Sequence, residues 1–270
     1  GAVAAIVSVL LSVFTTKEYP PTEAELAEIE QHKSRANIFK RTWEDIQIAF
    51  QTMPLTMKQL IPVKFFSWYA MFCYWEYITS SLSISVFHTT DQASEGFSKA
   101  QLLTGNLNGT YNIICFIVAF ALVPIAKKIG AKGVHFGALI LGGLGLICIP
   151  YLNNVDVLFY VYNPFGESIA ISSIYLYSFG LGISWASMMA MPYQLLAGSI
   201  PKEKQGVYMG IFNMFIVIPM AIQIFTMQFF VYDLLGKNPL NVIRLAGLFL
   251  MIAAVFTLFI TVKNKNQIVA

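Results

Sequence analysis

Apolar residues along this chain fall into long blocks separated by short polar segments, and this pattern predicts helices that cross a membrane. At a rise of about 1.5 Å per residue, a helix of about 20 residues crosses a hydrocarbon core of about 30 Å. The six longest apolar blocks have about this length and cover residues 63–88, 105–126, 134–151, 169–197, 206–232 and 241–262. The sequence therefore predicts six transmembrane helices.

A shorter apolar block, residues 1–14, opens the chain. A helix of this length reaches about 21 Å, which is less than the thickness of the hydrocarbon core. We therefore interpret it as the end of a further transmembrane helix. We assume that it is helix 6 and number the six longer blocks helices 7 to 12.

Residues 15–61 are polar and hold half of the acidic residues, so they predict a linker outside the membrane. Thr22 and Glu25 have the spacing of a capping box, which favours a helix start. One face of a second predicted helix carries four apolar residues, Trp43, Ile46, Phe50 and Met53. This amphipathic helix lies either on the membrane surface or in solvent as an ordinary linker helix. The predicted domains are thus residues 1–14, the linker 15–61 and a six-helix domain at 62–270.

Composition and charge agree with a polytopic membrane protein. Hydrophobic residues make up 57% of the chain and charged residues 11%, and the mean hydropathy is +0.65. This balance excludes a water-soluble monomer. Of the 17 Lys and Arg residues, 14 lie in the linker and its junction with helix 7, in the 127–132 and 202–204 loops, or in the tail after 262. By the positive-inside rule these segments are cytoplasmic, and the membrane we expect is the plasma (inner) membrane.

No motif indicates catalysis or a bound cofactor. The three cysteines lie in separate apolar blocks, and none of the three histidines shares a helix face with an acid at metal-ligand or triad spacing. The glycines of residues 137–146 lie inside an apolar block, which is not the context of a phosphate-binding loop. We therefore expect no cofactor, no metal, no enzymatic activity and no nucleic-acid partner.

Polar side chains concentrate in predicted helices 7, 8, 10 and 11, whereas helices 9 and 12 are almost uniformly apolar. In helix 7, Glu76 is the acidic residue farthest from any span end, and Tyr69 and Ser80 share its face at i−7 and i+4. A carboxylate at this depth is costly unless it is protonated, paired or hydrated. Glu76 therefore indicates either a site that titrates protons or hydrogen-bonds a polar ligand, or a structural carboxyl group bonded to a neighbouring helix.

The other three polar helices add amides, hydroxyl groups and an indole ring that could stack on the apolar face of a ligand. Amides and hydroxyls suit a ligand rich in hydroxyl groups, because they both donate and accept hydrogen bonds, but they also serve as contacts between helices. The candidate residues are Asn108, Tyr111 and Asn112 in helix 8, Ser184 and Trp185 in helix 10, and Asn213 and Gln223 in helix 11.

Two segments carry a family resemblance, WASMMAMPY at residues 185–193 and GVYMGIFN at residues 206–213. With TTKEYPP at 15–21 and FFSW at 65–68, the chain resembles the sucrose-transporter-like branch of the major facilitator superfamily, among its glycoside/pentoside/hexuronide-type sugar carriers. The resemblance implies an all-α carrier of twelve transmembrane helices, of which this chain is the C-terminal half with the central linker. It also implies that helices 7, 8, 10 and 11 border a central cavity while 9 and 12 face lipid.

The same resemblance implies a function and a set of partners. The function is secondary active transport of a sugar by alternating access, as symport of a disaccharide or glycoside with protons. The partners are the sugar, protons, the N-terminal six-helix half and the lipid bilayer. A membrane sensor of the same fold, which binds sugar without moving it, is the alternative.

Overall fold

The computed structural model describes residues 2–15, 23, 47–48, 50–162, 168–196, 199–200 and 205–261. The chain divides into two units, Gly1–Gln51 and Thr52–Ala270. In the first unit, helix α1 spans Ala2–Thr15, which agrees with the helix predicted for the opening apolar block. Its large apolar side chains, Ile6, Leu10 and Phe14 among them, are exposed, as in a helix suited to lipid. The predicted capping pair of the linker, and Trp43 and Ile46 of its amphipathic face, lie outside the described residues.

The second unit is mostly helical. In chain order its elements are α2 (Leu55–Ser85), α3 (Glu95–Cys148), β1 (Val157–Tyr162), β2 (Ser168–Ser172), α4 (Tyr175–Leu196), α5 (Gln205–Thr226), α6 (Tyr232–Leu234) and α7 (Pro239–Leu258). A 3-10 turn, Ile149–Tyr151, follows α3. A π-helical turn, Met227–Val231, joins α5 to α6.

Helix α3 consists of two arms, residues 95–129 and 131–148, that reverse direction at Gly130. There the backbone has φ 81° and ψ 149°, a conformation open mainly to glycine. The first arm approaches Gly182 of α4 through the carbonyl of Tyr111, and the second approaches Gly180 through the carbonyl of Leu141. A straight helix would separate residues 111 and 141 by about 45 Å, so the arms fold back on each other. With the arms counted separately, each of the six predicted spans corresponds to a helical segment.

In the described part of the chain, three helices combine the length and the hydropathy of a membrane span: Glu95–Tyr151, Gln205–Leu234 and Pro239–Leu258. Helices α2 and α4 have 31 and 22 residues, which is long enough to cross. Their polar side chains lower their hydropathy, Lys64 and Glu76 in α2 and a series of Ser and Tyr residues in α4.

Two helices begin earlier than the apolar blocks predict. Helix α2 begins at Leu55 and not at residue 63, after Pro54 at its N-cap. Helix α3 begins at Glu95 and not at residue 105, because the side chain of Ser94 accepts a hydrogen bond from the backbone N–H of Phe97 and caps the helix. Polar residues interrupt the first turns of both helices, Thr56 and Lys58 in α2 and Glu95 and Ser98 in α3, so hydropathy alone does not reveal them.

The helix predicted from residue 169 is wrong in its first turn, because residues 168–172 form a β-strand. This strand pairs antiparallel with β1, with Tyr160 opposite Ala170 and Tyr162 opposite Ser168. The sequence of β1, VLFYVY, consists of β-branched, aromatic and leucine residues, most of which favour strands. A short apolar strand next to a helix extends the same hydrophobic block, and hydropathy does not separate the two. Helix α4 therefore begins at Tyr175.

Glycines allow the second arm of α3 to lie in close contact with α7. A Cβ atom on Gly143 would lie 2.6 Å from the carbonyl oxygen of Gly247, and one on Gly247 would lie 2.6 Å from the carbonyl oxygen of Gly143. On the α4 side of the arm, a Cβ on Gly142 would lie 2.5 Å from that of Ser184. Small residues drive helix association in membranes by permitting such contacts between backbones.

We expect Gly143→Ala and Gly247→Ala to destabilise the protein by about 1–3 kcal/mol, because the new methyl group meets backbone that has no room to move. Gly137→Ala in the same arm is the control, since no atom lies within 4 Å of its added Cβ. There alanine should be neutral or stabilising by up to about 1 kcal/mol, as expected from helix propensity. Thermal unfolding of the three variants in detergent measures the difference, and equal melting temperatures would contradict the proposed contact.

Candidate functional site

Glu76 of α2 faces α5, where Gln223 binds it. The Gln223 Nε2 donates a hydrogen bond of 3.0 Å to Glu76 Oε2 and lies 3.7 Å from the sulfur of Cys73. Gln223 is fully buried, and its Oε1 has no hydrogen-bond partner among the described residues. The side of Glu76 away from Gln223 is exposed. The carboxyl group is therefore held from one side and accessible from the other.

Tyr69 lies two helical turns before Glu76 on the same face of α2. Its hydroxyl group is 2.7 Å from Thr226 Oγ1. The Thr226 hydroxyl also lies 2.7 Å from the backbone carbonyl of Ile222, to which it donates. A hydroxyl has one proton, so Tyr69 donates to Thr226. The structure thus brings together Tyr69, Glu76 and Gln223, predicted from sequence, at the contact between α2 and α5.

A second polar cluster joins α2 to the first arm of α3 and to α4. The Tyr74 hydroxyl donates to Asn108 Oδ1 at 2.7 Å and lies 3.4 Å from the hydroxyl of Tyr177. The indole N–H of Trp75 donates to the Tyr111 hydroxyl at 3.4 Å. Asn108 and Tyr111 are therefore hydrogen-bonded to α2. Tyr74 and Tyr177, which complete this cluster, are not among the candidates that the sequence predicts.

Asn112 and Asn213 differ from this cluster, because both side chains are exposed. The Asn112 Nδ2 donates to the backbone carbonyl of Asn108 in its own helix at 2.8 Å. Its Oδ1 has no partner among the described residues and stays open to a ligand. Asn213 lies in the first half of α5, directly after Phe212.

Trp185 packs against two other indole rings rather than standing alone. Its ring centroid lies 5.7 Å from that of Trp68 and 5.4 Å from that of Trp75, in edge-to-face geometry. Trp75 and Trp185 are half-buried, so each retains an accessible ring surface. The neighbouring Ser184 is fully buried where α4 contacts Gly142 of α3, away from this surface.

Ser80 lies at the other end of α2 and lines a cavity of about 180 Å³. The cavity wall is rich in polar groups, among them those of Ser83, Thr90, Gln92, Tyr232 and Lys237. Ser80 lies one helical turn beyond Glu76 in the same helix.

Sequence reasoning missed Lys64 and His135. It placed Lys64 with the basic residues of the linker, but the early start of α2 puts Lys64 inside a helix, where it is 1% exposed. His135 was placed near a span end, but its side chain is 1% exposed and its Nδ1 lies 2.8 Å from Ser187 Oγ. The signal for Lys64 was the aromatic run that follows it, since FFSW at 65–68 belongs to a packed helix.

No group of three or more His, Cys, Asp and Glu residues that could hold a metal occurs among the described residues. The clusters around Glu76 and Asn108 instead offer hydrogen bonds and one titratable carboxyl group. Such groups recognise hydroxyls and bind protons without a metal.

The family profile described as Major Facilitator Superfamily matches residues 1–224, which reach from α1 to the end of α5. No curated protein matches the chain.

We expect a measurable coupling between Tyr69 and Thr226, because their hydrogen bond ties α2 to α5. A double-mutant cycle with Tyr69→Phe, Thr226→Val and the double variant should give an interaction free energy of about 0.6 kcal/mol, with an upper bound of about 1.7 kcal/mol. Thermal or denaturant unfolding in detergent provides the four values. The pair Tyr69→Phe and Thr104→Val is the control, since Thr104 bonds within its own helix, to the carbonyl of Ala100, and should show no coupling. Strictly additive effects of Tyr69→Phe and Thr226→Val would contradict the bond.

Proposed function

The chain belongs to the Major Facilitator Superfamily, and from this premise we propose that it is the C-terminal half of a proton-coupled carrier of a disaccharide or other glycoside. Members of the superfamily are secondary transporters and not enzymes. The chain is accordingly an integral, multi-pass membrane protein whose partners include a transported substrate and the lipid bilayer.

The observation that carries the proposal is the Glu76–Gln223 pair. A carboxyl group at mid-helix is expensive in a membrane and is retained mainly where it functions. Here it is bonded on one side to an amide that is fully buried and is exposed on the other. A proton and a substrate hydroxyl can both reach the exposed side.

Gln223 suits both protonation states of Glu76. In the structure Glu76 Oε2 accepts a hydrogen bond from Gln223 Nε2, as a carboxylate oxygen can. After protonation the carboxyl O–H becomes a donor, and rotation of the Gln223 amide presents its Oε1 as the acceptor. That oxygen has no competing partner among the described residues. The pair therefore permits proton binding and release without leaving Glu76 unbonded.

The sugar-binding groups we propose lie on the two helices of this pair and on α3 and α4. Asn112 and Asn213 present open amides, which donate to and accept from hydroxyl groups. Trp75 and Trp185 present indole surface to the apolar face of a pyranose ring. These groups belong to α2, α3, α4 and α5, which correspond to the helices 7, 8, 10 and 11 that the sequence marks as polar. We propose that the N-terminal six-helix half supplies the opposite wall and that the two halves alternate about the site.

We expect Glu76→Gln to separate exchange from accumulation. The variant keeps the size of the side chain and its hydrogen bonding but does not titrate, so sugar exchange should persist while accumulation driven by a proton gradient is lost. The complete carrier is reconstituted in liposomes, and labelled disaccharide uptake is followed with and without an imposed pH gradient. Glu95→Gln is the control, because Glu95 is exposed and pairs only with Lys99; it should leave both activities unchanged.

The result distinguishes the alternatives. Accumulation that is unchanged in Glu76→Gln would reduce Glu76 to a structural carboxyl group. Sugar binding without any uptake by the unmodified carrier would instead favour a sensor.

We also propose that the linker and the C-terminal tail are cytoplasmic, since 14 of 17 basic residues lie on that side. Single cysteines at Gln31 and Asn264 should then be protected from an impermeant maleimide added to intact cells. A cysteine at Gln92, in the exposed loop between α2 and α3, should react. The reverse pattern of labelling would contradict the orientation.

A further inference from the structure

Lys64 is a buried cation with no counter-ion among the described residues. Its side chain is 1% exposed, and its Nζ has no hydrogen-bond partner among the described residues. The described carboxyl groups of the second unit are engaged elsewhere. Their partners are Gln223 for Glu76, Ala93 for Asp91, Lys99 for Glu95, Asn153 for Asp156 and Lys237 for Asp233.

Three aromatic rings from three helices enclose the Lys64 ammonium group. Its Nζ lies 4.5 Å from the ring centroid of Phe212 in α5, 5.1 Å from that of Tyr193 in α4 and 5.6 Å from that of Trp68 in α2. These distances allow cation–π attraction. We call these three rings the Lys64 cage. They give the ammonium partial compensation, but none of them replaces the hydrogen bonds that water would make.

The other titratable groups around Lys64 add no negative charge. His135 of α3 is buried, lies within electrostatic range of Lys64, and its Nε2 has no partner among the described residues. Tyr193 of α4 faces the ammonium with its ring. A neutral or positive imidazole does not stabilise a neighbouring ammonium, so among the described residues the charge of Lys64 is compensated only in part, by the three rings.

The cage closes at one contact between α4 and α5. The rings of Tyr193 and Phe212 meet edge to face, with centroids 5.2 Å apart. Tyr193 is 36% exposed, while Phe212 is fully buried. The Tyr193 ring is therefore the part of the cage nearest to solvent, and movement of α4 away from α5 would admit water to Lys64.

We propose that Lys64 is the residue that drives opening of the bundle at this end, where α2 begins, α4 ends and α5 begins. In the closed state the ammonium lacks its hydration, and opening of the cage restores it. The charge thus favours the open state, while the ring contacts favour the closed one. A carrier that alternates between two states needs both within a small free-energy difference of each other. The inference rests on the transport cycle of the superfamily and is independent of the identity of the sugar or the coupling ion.

Lys64→Met tests the proposal, because methionine fills a similar volume without a charge. The variant should melt at a higher temperature than the unmodified protein and should open less often. Opening is measured as the labelling rate of Ser67→Cys by a small water-soluble maleimide, in a full-length protein whose other cysteines are replaced. Ser67 is 2% exposed and lies one turn after Lys64, so it reacts only when this end opens. We expect labelling about tenfold slower in Lys64→Met, the factor that corresponds to about 1.4 kcal/mol.

Two further variants serve as controls. Lys64→Arg keeps the charge and should label at least as fast as the unmodified protein. Lys128→Met removes a charge from an exposed position in the first arm of α3 and should change neither readout. A lower melting temperature, faster labelling or failure to fold in Lys64→Met would show that Lys64 holds the cage closed and would overturn the proposal. Unchanged melting and labelling would also overturn it.

Discussion

The close approach of the second arm of α3 to α7 is the contact on which the rest of the bundle depends. In lipid there is no hydrophobic drive between helices, so association relies on dispersion contacts that improve as backbones come closer. Gly143 and Gly247 meet with no side chain between their backbones. Helix α7 then contacts α2 through rings, since Phe66 lies 5.1 Å from Phe249 and stacks on Phe256. The second arm of α3 and α7 thus form an apolar unit that positions one side of α2. The polar side of α2 contacts other helices.

The two sides of α2 have different kinds of partners. Towards α7 the contacts are aromatic rings, with hydrogen bonds from Thr56 and Gln59 to Thr261 just beyond the end of α7. Towards α5 the contacts include the hydrogen bonds of Tyr69 and Glu76. Hydrogen bonds between helices in membranes are individually weak, and ring contacts such as that of Tyr193 with Phe212 can slide. Helix α5 is therefore attached by interactions that can be exchanged for others, whereas α7 is fixed by shape. A carrier that changes conformation needs such an unequal division.

The sequence predicts the helices better than it predicts the polar sites. Hydropathy located six helical segments, because a membrane helix must be apolar over a fixed length, and the helical period placed Tyr69 and Glu76 on one face. Hydropathy does not predict structure that depends on a single capping residue or on the pairing of two strands. Ser94 starts α3 by capping, and residues 168–172 form a strand by pairing with β1, neither of which changes hydropathy.

The sequence does not predict which residues the polar side chains bind, and the reason is a different one. The periodicity of one helix states which residues share a face but not which helix that face meets. Gln223 and Asn108 were both candidates, yet only the packing assigns the first to Glu76 and the second to Tyr74. Lys64 was misplaced because a lysine near a helix start normally indicates solvent, and only the positions of α4 and α5 reveal the rings around it.

The π-helical turn at Met227–Val231 affects how this chain is matched to its relatives. At about 100° per residue, an unbroken α-helix would place Tyr232, nine residues after Gln223, on the opposite face. The wider turn absorbs one extra residue, and the ring of Tyr232 lies 5.2 Å from that of Tyr77, next to Glu76. An alignment with a relative that lacks the turn therefore requires a gap of one position between 227 and 231. Without that gap, every later residue of the helix is paired with one that points about 100° away.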